Sequence, residues 1–161
     1  MAIYMQYDGI KGDTTEDGHK EWIKCDSASF CAFREAKTKL GHGGSRQGTN
    51  VSIADIALTK PMCSASPHLF VESLVGLGKK VKIHITRTGA GEQINYLEAV
   101  LDKCCVTNYG ITSDGVRHSE SFSLNFLTIE LKCTPVKPDG TPGTPVPVAF
   151  SIPTGEPKVW E

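Results

Sequence analysis

Between Ser119 and Lys132, apolar and polar residues alternate with the two-residue period of a half-buried β-strand. Ser-Glu-Ser-Phe-Ser-Leu-Asn-Phe puts Phe122, Leu124 and Phe126 on one face. Ala2–Tyr7 repeats the pattern with Ile3, Met5 and Tyr7, and Lys79–Arg87 sets Val81, Ile83 and Ile85 against Lys80, Lys82, His84 and Thr86. His19–Phe33 reads as a second strand region. One face carries Trp22, Lys24, Asp26, Ala28 and Phe30; the other carries Ile23, Cys25, Ser27, Ser29 and Cys31, which are mostly small. Val51–Thr59 is a further strand, with Val51, Ile53, Asp55, Ala57 and Thr59 opposing Ser52, Ala54, Ile56 and Leu58. Gln93–Val106 is a long strand, apolar on both faces in its middle: Tyr96 and Val100 oppose Leu97, Ala99 and Leu101. Such a strand is covered twice, by the core and by the helix or another subunit.

Turn signals separate these runs. Asp8-Gly9, Asp17-Gly18, Gly89-Ala90-Gly91 and Ser113-Asp114-Gly115 combine residues that tolerate left-handed backbone. Lys37–Asn50 is a glycine-rich, basic stretch, longer than an ordinary connection, and is expected to be disordered or used for contact. Ser66–Gly76 is the one helical segment. Ser66 is placed to cap it, Pro67 suits the first turn, Leu69, Phe70, Ser73 and Leu74 form its stripe, and Gly76 is expected in a left-handed C-terminal conformation. Seven of the nine prolines lie in Pro135–Glu161. Pro147 and Pro153 confine Val146–Ile152 to an edge strand. The pattern as a whole predicts a mainly β fold with one short helix.

A chain of 161 residues fits one domain, 1–161, large enough to fold without disulfide staples. The net charge of −1 and pI near 6.5 point to neither nucleic acid nor a membrane surface as partner. Cys25, Cys31, Cys63, Cys104, Cys105 and Cys133 show no metal-type spacing and read as reduced thiols of a cytosolic chain. Asp8 and Lys11 interrupt Met1–Ile10, so no cleaved signal peptide is expected, and no run reaches the roughly 18 apolar residues of a membrane span.

No stretch assembles an active site. Gly43-Gly-Ser-Arg-Gln-Gly48-Thr49 lacks the lysine and the following helix of a phosphate loop. His19, His42, His68, His84 and His118 have no metal-ligand spacing, so neither a metal nor a cofactor is expected. Cys63, just before the helix, is the best candidate nucleophile, set against its reading as a small buried hydrophobe. Glu92, Glu98, Glu120 and Glu130 read as solvated strand positions. The small face of Cys25, Ser27, Ser29 and Cys31 either lines a wall or packs inward; both readings stay open.

Several fragments, in order and spacing, resemble the haemolysin-coregulated protein (Hcp) family, the tube proteins of bacterial type VI secretion. They are Gly9-Ile-Lys-Gly12, His19-Lys-Glu-Trp-Ile23, Asp55-Ile-Ala-Leu-Thr-Lys60, Ser66-Pro-His-Leu69, Arg87-Thr-Gly89, Tyr96-Leu97, Glu120 and Ser123-Leu-Asn-Phe126. The chain departs from the family at Cys63, where an aspartate is common, at Cys133, where a tyrosine is frequent, at Glu72 and Ser73, and in its proline-rich tail. The resemblance implies a compact β-barrel of two sheets with one side helix, six subunits in a ring, and rings stacked into a hollow tube. It further implies a spike protein at the tip, a contractile sheath around the tube, small effector toxins inside, and export from the cytoplasm without catalysis. Within that picture Ser27 and Ser29 face the lumen. Lys39, His42, Gly43, Gly44, Arg46 and Gln47 reach the neighbouring ring, and Tyr96, Leu97 and Val100 meet the next subunit. The competing readings are a monomeric β-sandwich that binds peptide or glycan, and a thiol enzyme acting through Cys63.

Overall fold

A computed structural model describes residues 1–37, 47–89 and 91–158. Among them are twelve strands and one helix. The first sheet runs in the order β12 (Glu156–Lys158), β11 (Val146–Ser151), β10 (Thr128–Cys133), β8 (Gln93–Ser113), β7 (Lys79–Thr88), β1 (Ala2–Tyr7), β2 (Ile23–Cys25), every pair antiparallel. The second sheet joins β3 (Ser27–Ser29), β6 (Ile56–Pro61), β9 (His118–Asn125) and the far half of β8. A separate ribbon pairs β4 (Ala32–Lys37) with β5 (Gln47–Ile53). The expected mainly β molecule of two sheets and one helix is thus what forms.

Two bent runs carry the chain from one sheet into the other. β8 pairs β7 and β10 up to Cys104, then pairs β9 from Cys105 onward. The corner sits at Lys103, whose φ is +52°, and Gly78 lies against it at φ +90°. A Cβ on Gly78 would stand 3.3 Å from the Lys103 carbonyl carbon in a backbone conformation side chains avoid, so glycine is required there. The second bend is at Asp26, whose amide donates to the Thr59 carbonyl at 2.8 Å. The ladder therefore does not run unbroken around the molecule.

The Asp26 bend corrects the single strand expected across His19–Phe33. Ile23 and Cys25 are buried, but beyond the bend the faces exchange: Ser27 and Ser29 are exposed and Ala28 packs inward. Between the sheets lies one core built from Met5, Tyr7, Ile23, Ile56, Leu58, Ile83, Leu101, Phe122 and Leu124 among others. The strict alternation along β1, β7 and β9 is what aims these side chains inward.

α1 (Ser66–Val75) forms where expected, with two local differences. Its N-cap is Ala65, without a side-chain cap; Ser66 Oγ instead accepts the Cys63 amide at 3.0 Å. Gly76 is extended, at φ −61°, and the left-handed residue is Gly78. The helix is anchored chiefly by Leu69, which is fully buried, a contribution of about 2–3 kcal/mol. A Lys79–Glu72 ion pair at 2.8 Å and the Phe70–Tyr109 ring contact add to it. The β8–β9 hairpin closes through Asp114, whose carboxylate accepts the Val116 and Arg117 amides, with Gly115 at φ +84°. β11 is backed by β12 only along Ala149–Ser151, so Val146–Val148 remain an edge. No described helix is long and apolar enough to cross a membrane.

Candidate assembly surfaces

The outer faces of the two sheets differ in chemistry. On the second sheet the ladder aligns Ser27, Thr59, Ser121 and Gly110 in one row, and Ser29, Ala57, Ser123 and Asn108 in the next. These residues are exposed or half-exposed, small and uncharged. Ser27 Oγ and Thr59 Oγ1 share a hydrogen bond of 2.5 Å across the first row. On the first sheet the rows are charged: Gln6, Lys82, Val100 and Glu130 in one, Tyr4, His84, Glu98 and Lys132 in the other. Glu98 pairs there with Lys132 and lies 3.8 Å from His84 Nε2.

Loop residues cover one end of this charged face. His19 is buried, stacked on Tyr4 with ring centroids 4.4 Å apart and edge-on to Trp22. Its Nε2 lies 3.0 Å from His84 Nδ1, so the pair shares one proton. Burial holds both imidazoles below their usual range; His84 is brought to about 4, with His19, Lys82 and Lys132 adding to the effect.

Among the described residues, two apolar surfaces are exposed. The first is the solvent side of α1 and its exit: Phe70, Val71, Leu74, Val75 and Leu77, the last 96% exposed. The expected stripe is therefore inward only at Leu69; Phe70 and Leu74 point out. The second lies where the inner face of β10 and β11 extends past the core. Exposed Val51 borders a cavity of ≈ 410 Å³ there, walled also by Phe30, Ile53, Ile56, Phe126, Leu131 and Phe150, and exposed Val148 and Val146 pair with Leu131 and Cys133 along the same inner face. Contiguous apolar surface of this kind marks an interaction site.

Behind the start of α1 the core holds a charge pair. Lys60 and Glu120 face each other across β6 and β9, both side chains at 0% exposure, with Nζ 2.6 Å from Oε2. The three N–H groups of Lys60 are shared among this carboxylate and three further acceptors, Ser66 Oγ at 3.0 Å, the Pro61 carbonyl at 2.9 Å and Cys63 Sγ at 3.3 Å. Tyr109 OH donates to the Ser66 carbonyl at 3.2 Å; burial and the nearby Glu120 push its pKa up.

The model of the family described as "Type VI secretion system effector, Hcp" matches residues 4–133. The chain belongs to the Hcp family. These are tube components of the type VI secretion system, a structural and secreted family rather than an enzyme family. Among solved structures, the fold matches one described as that of a type six secretion system protein, with TM-score 0.89 at 21% identity over 98% of this chain and 99% of that one. It also matches Hcp1 from Salmonella typhimurium, with TM-score 0.77 at 18% identity over 98% of both chains. Hcp3 from Pseudomonas aeruginosa gives a TM-score of 0.62 at 18% identity, over 93% of this chain and 97% of that one. No curated protein matches the sequence.

The expected Hcp contact residues fall in three places. Ser27 and Ser29 stand together on the uncharged face. Lys39, His42, Gly43, Gly44 and Arg46 lie outside the described residues, as does the side chain of Gln47. Of the expected interface strand, Leu97 belongs to the inner face, in a row with Cys133 and Val146 beside the second apolar surface. Val100 lies on the outer face between Lys82 and Glu130, and Tyr96 sits at a register shift with its carbonyl accepting the Thr134 amide at 2.9 Å. The strand is thus apolar inside and mixed outside, in place of the two apolar faces expected.

Proposed function

We propose that this Hcp protein is the subunit of a tube: six copies close into a ring, rings stack, and the uncharged face of the second sheet lines the hollow. The observation that carries the reading is the presence of two apolar surfaces with no residue in common, one a convex helix face and one a concave shelf. A surface that mates with a different surface on the next copy gives head-to-tail association, which closes into a ring when the rotation per step allows. A six-membered ring needs this kind of contact.

The two sheet faces fit the same arrangement. A lumen of serine, threonine, alanine and glycine presents hydroxyls without bulky anchors or fixed charge, so a small effector protein can be held and still leave. Ser27 and Ser29 are the proposed cargo-facing residues. The charged face, with Lys82, Glu98, Glu130 and Lys132, turns outward toward the sheath. The segment Lys39, His42, Gly43, Gly44, Arg46 and Gln47 is the proposed ring-to-ring element, and the spike protein seats on the last ring. The assembled protein leaves the cytoplasm through the secretion machinery.

The test is the mass in solution by light scattering after size exclusion, in reductant, with the same peak viewed by negative stain. Six-fold mass with hollow rings supports the tube. A monomer at every concentration, with no rings on the grid, counts against self-assembly through these surfaces and favours the peptide- or glycan-binding module.

A further inference from the structure

Cys63 has a setting that the other described thiols lack. Its half-buried side chain borders an open cavity of ≈ 390 Å³, shared with Tyr4, Asp13, Lys24, Pro61 and Met62. On its inward side its sulfur touches the fully buried Lys60 amine at 3.3 Å. Behind the amine stands the Glu120 carboxylate, 2.6 Å away. Cys25 and Cys104 are buried, and burial pushes both thiols up, Cys25 to about 12, which keeps them protonated and unreactive. A thiol open to small solutes on one side and packed on an amine on the other is arranged for covalent capture.

We propose that Lys60 and Cys63 form an oxidative modification site, in which hydrogen peroxide entering the cavity drives a sulfur–nitrogen bond between the two side chains. The Cys63 sulfur attacks one peroxide oxygen and the O–O bond breaks. The other oxygen leaves as water with the thiol proton, and Cys63 becomes a sulfenic acid. The Lys60 ammonium passes one proton to Glu120, freeing the nitrogen lone pair. That nitrogen attacks the sulfur, the S–O bond breaks, and the oxygen leaves as a second water with a proton from nitrogen. Sulfur is oxidised by two electrons and peroxide is reduced by two. Glu120 keeps the proton it received, so neither an unpaired cation nor an unpaired anion is left in the core. The reaction parallels the capture of sulfenic acids by backbone nitrogen.

The folded protein is treated with hydrogen peroxide, digested and sequenced by mass spectrometry. The expected product is a peptide containing Lys60 and Cys63 that is lighter by about 2 Da, shows no backbone fragments cut between the two residues, and regains the mass on reduction. Cys63→Ser abolishes it. Lys60→Arg, which keeps the cation but removes the amine, leaves a sulfenic acid on Cys63 that dimedone traps. Should Lys60→Arg fail to fold, the wild-type fragment pattern decides by itself. The proposal is overturned if wild-type Cys63 takes up dimedone or further oxygen with no lighter peptide, or if peroxide oxidises other cysteines and leaves Cys63 unchanged.

Discussion

Replacing Lys60 by methionine keeps the length of the side chain and removes its charge. Glu120 then stands at 0% exposure with no cation within reach. Breaking a buried pair by taking one partner costs about 3–5 kcal/mol, because the remaining charge must be neutralised or hydrated inside the core. Against a typical domain stability of 5–15 kcal/mol that is a large fraction. Removing both charges in Lys60→Met with Glu120→Leu exchanges the pair for apolar packing and is expected to cost no more than about 1.5 kcal/mol. The Cys63 amide keeps its bond to Ser66 Oγ, so the start of α1 stays anchored. The assay is urea unfolding followed by circular dichroism, at one fixed protein concentration so that assembly contributes equally throughout. The expected signature is a double variant more stable than the Lys60→Met single variant by about 1.5 kcal/mol or more, at unchanged slope. If the single variant loses less than about 1 kcal/mol and the two substitutions add, the pair is not isolated from water and the reasoning fails.

Three further outcomes follow from the structure. His84 binds its proton less readily when folded, with a pKa of about 4 against the ordinary 6.5, and His19 is shifted the same way, so stability falls as the pH drops from 6.5 toward 4. The loss is on the order of 2 kcal/mol, it levels off below pH 4, and His84→Gln flattens it in urea titrations run across that range. Leu74→Glu on the exposed helix face leaves the monomer within about 0.5 kcal/mol of wild type but lowers the mass seen by light scattering; an unchanged mass removes α1 from the interface. Gly78→Val, forced to φ +90° beside Lys103, costs about 2 kcal/mol in thermal unfolding, whereas Gly91→Ala, which meets nothing within 4 Å, costs less.

Much of the fold was legible because the strands alternate strictly. Ile3, Met5 and Tyr7, or Phe122, Leu124 and Phe126, declare their inward face without help from tertiary structure. The sequence also held a signal for the buried pair that a charge-equals-surface reading passes over. Glu120 is in phase with Phe122 and Leu124, and Lys60 is in phase with Ile56 and Leu58. Two opposite charges, each in the inward register of its own strand, are expected to meet. The bend at Asp26 left no such trace. It is fixed by a backbone bond to Thr59, far away in sequence, and it inverts the faces of Ser27 and Ser29 relative to Cys25. His84 was equally illegible: its strand position is polar, and only the fold of the loop bearing His19 and Trp22 buries it.

The helix departs from an otherwise consistent pattern. A stripe of Leu69, Phe70 and Leu74 on a helix beside a sheet ordinarily faces the core, yet only Leu69 does so here. Phe70, Val71, Leu74, Val75 and Leu77 remain in water at a cost that a monomer has no reason to bear. The inner face of β11 raises the same problem from the other side, since Val146 and Val148 continue the core face of the sheet beyond its cover. Neither surface can satisfy the other within one chain if each is to stay open to solvent as the structure has it. Each can satisfy the other between chains, and doing so consumes one surface of each kind per copy. In the ring we propose, association by that rule leaves no surplus patch because the array closes on itself, whereas an open head-to-tail pair would leave one of each behind.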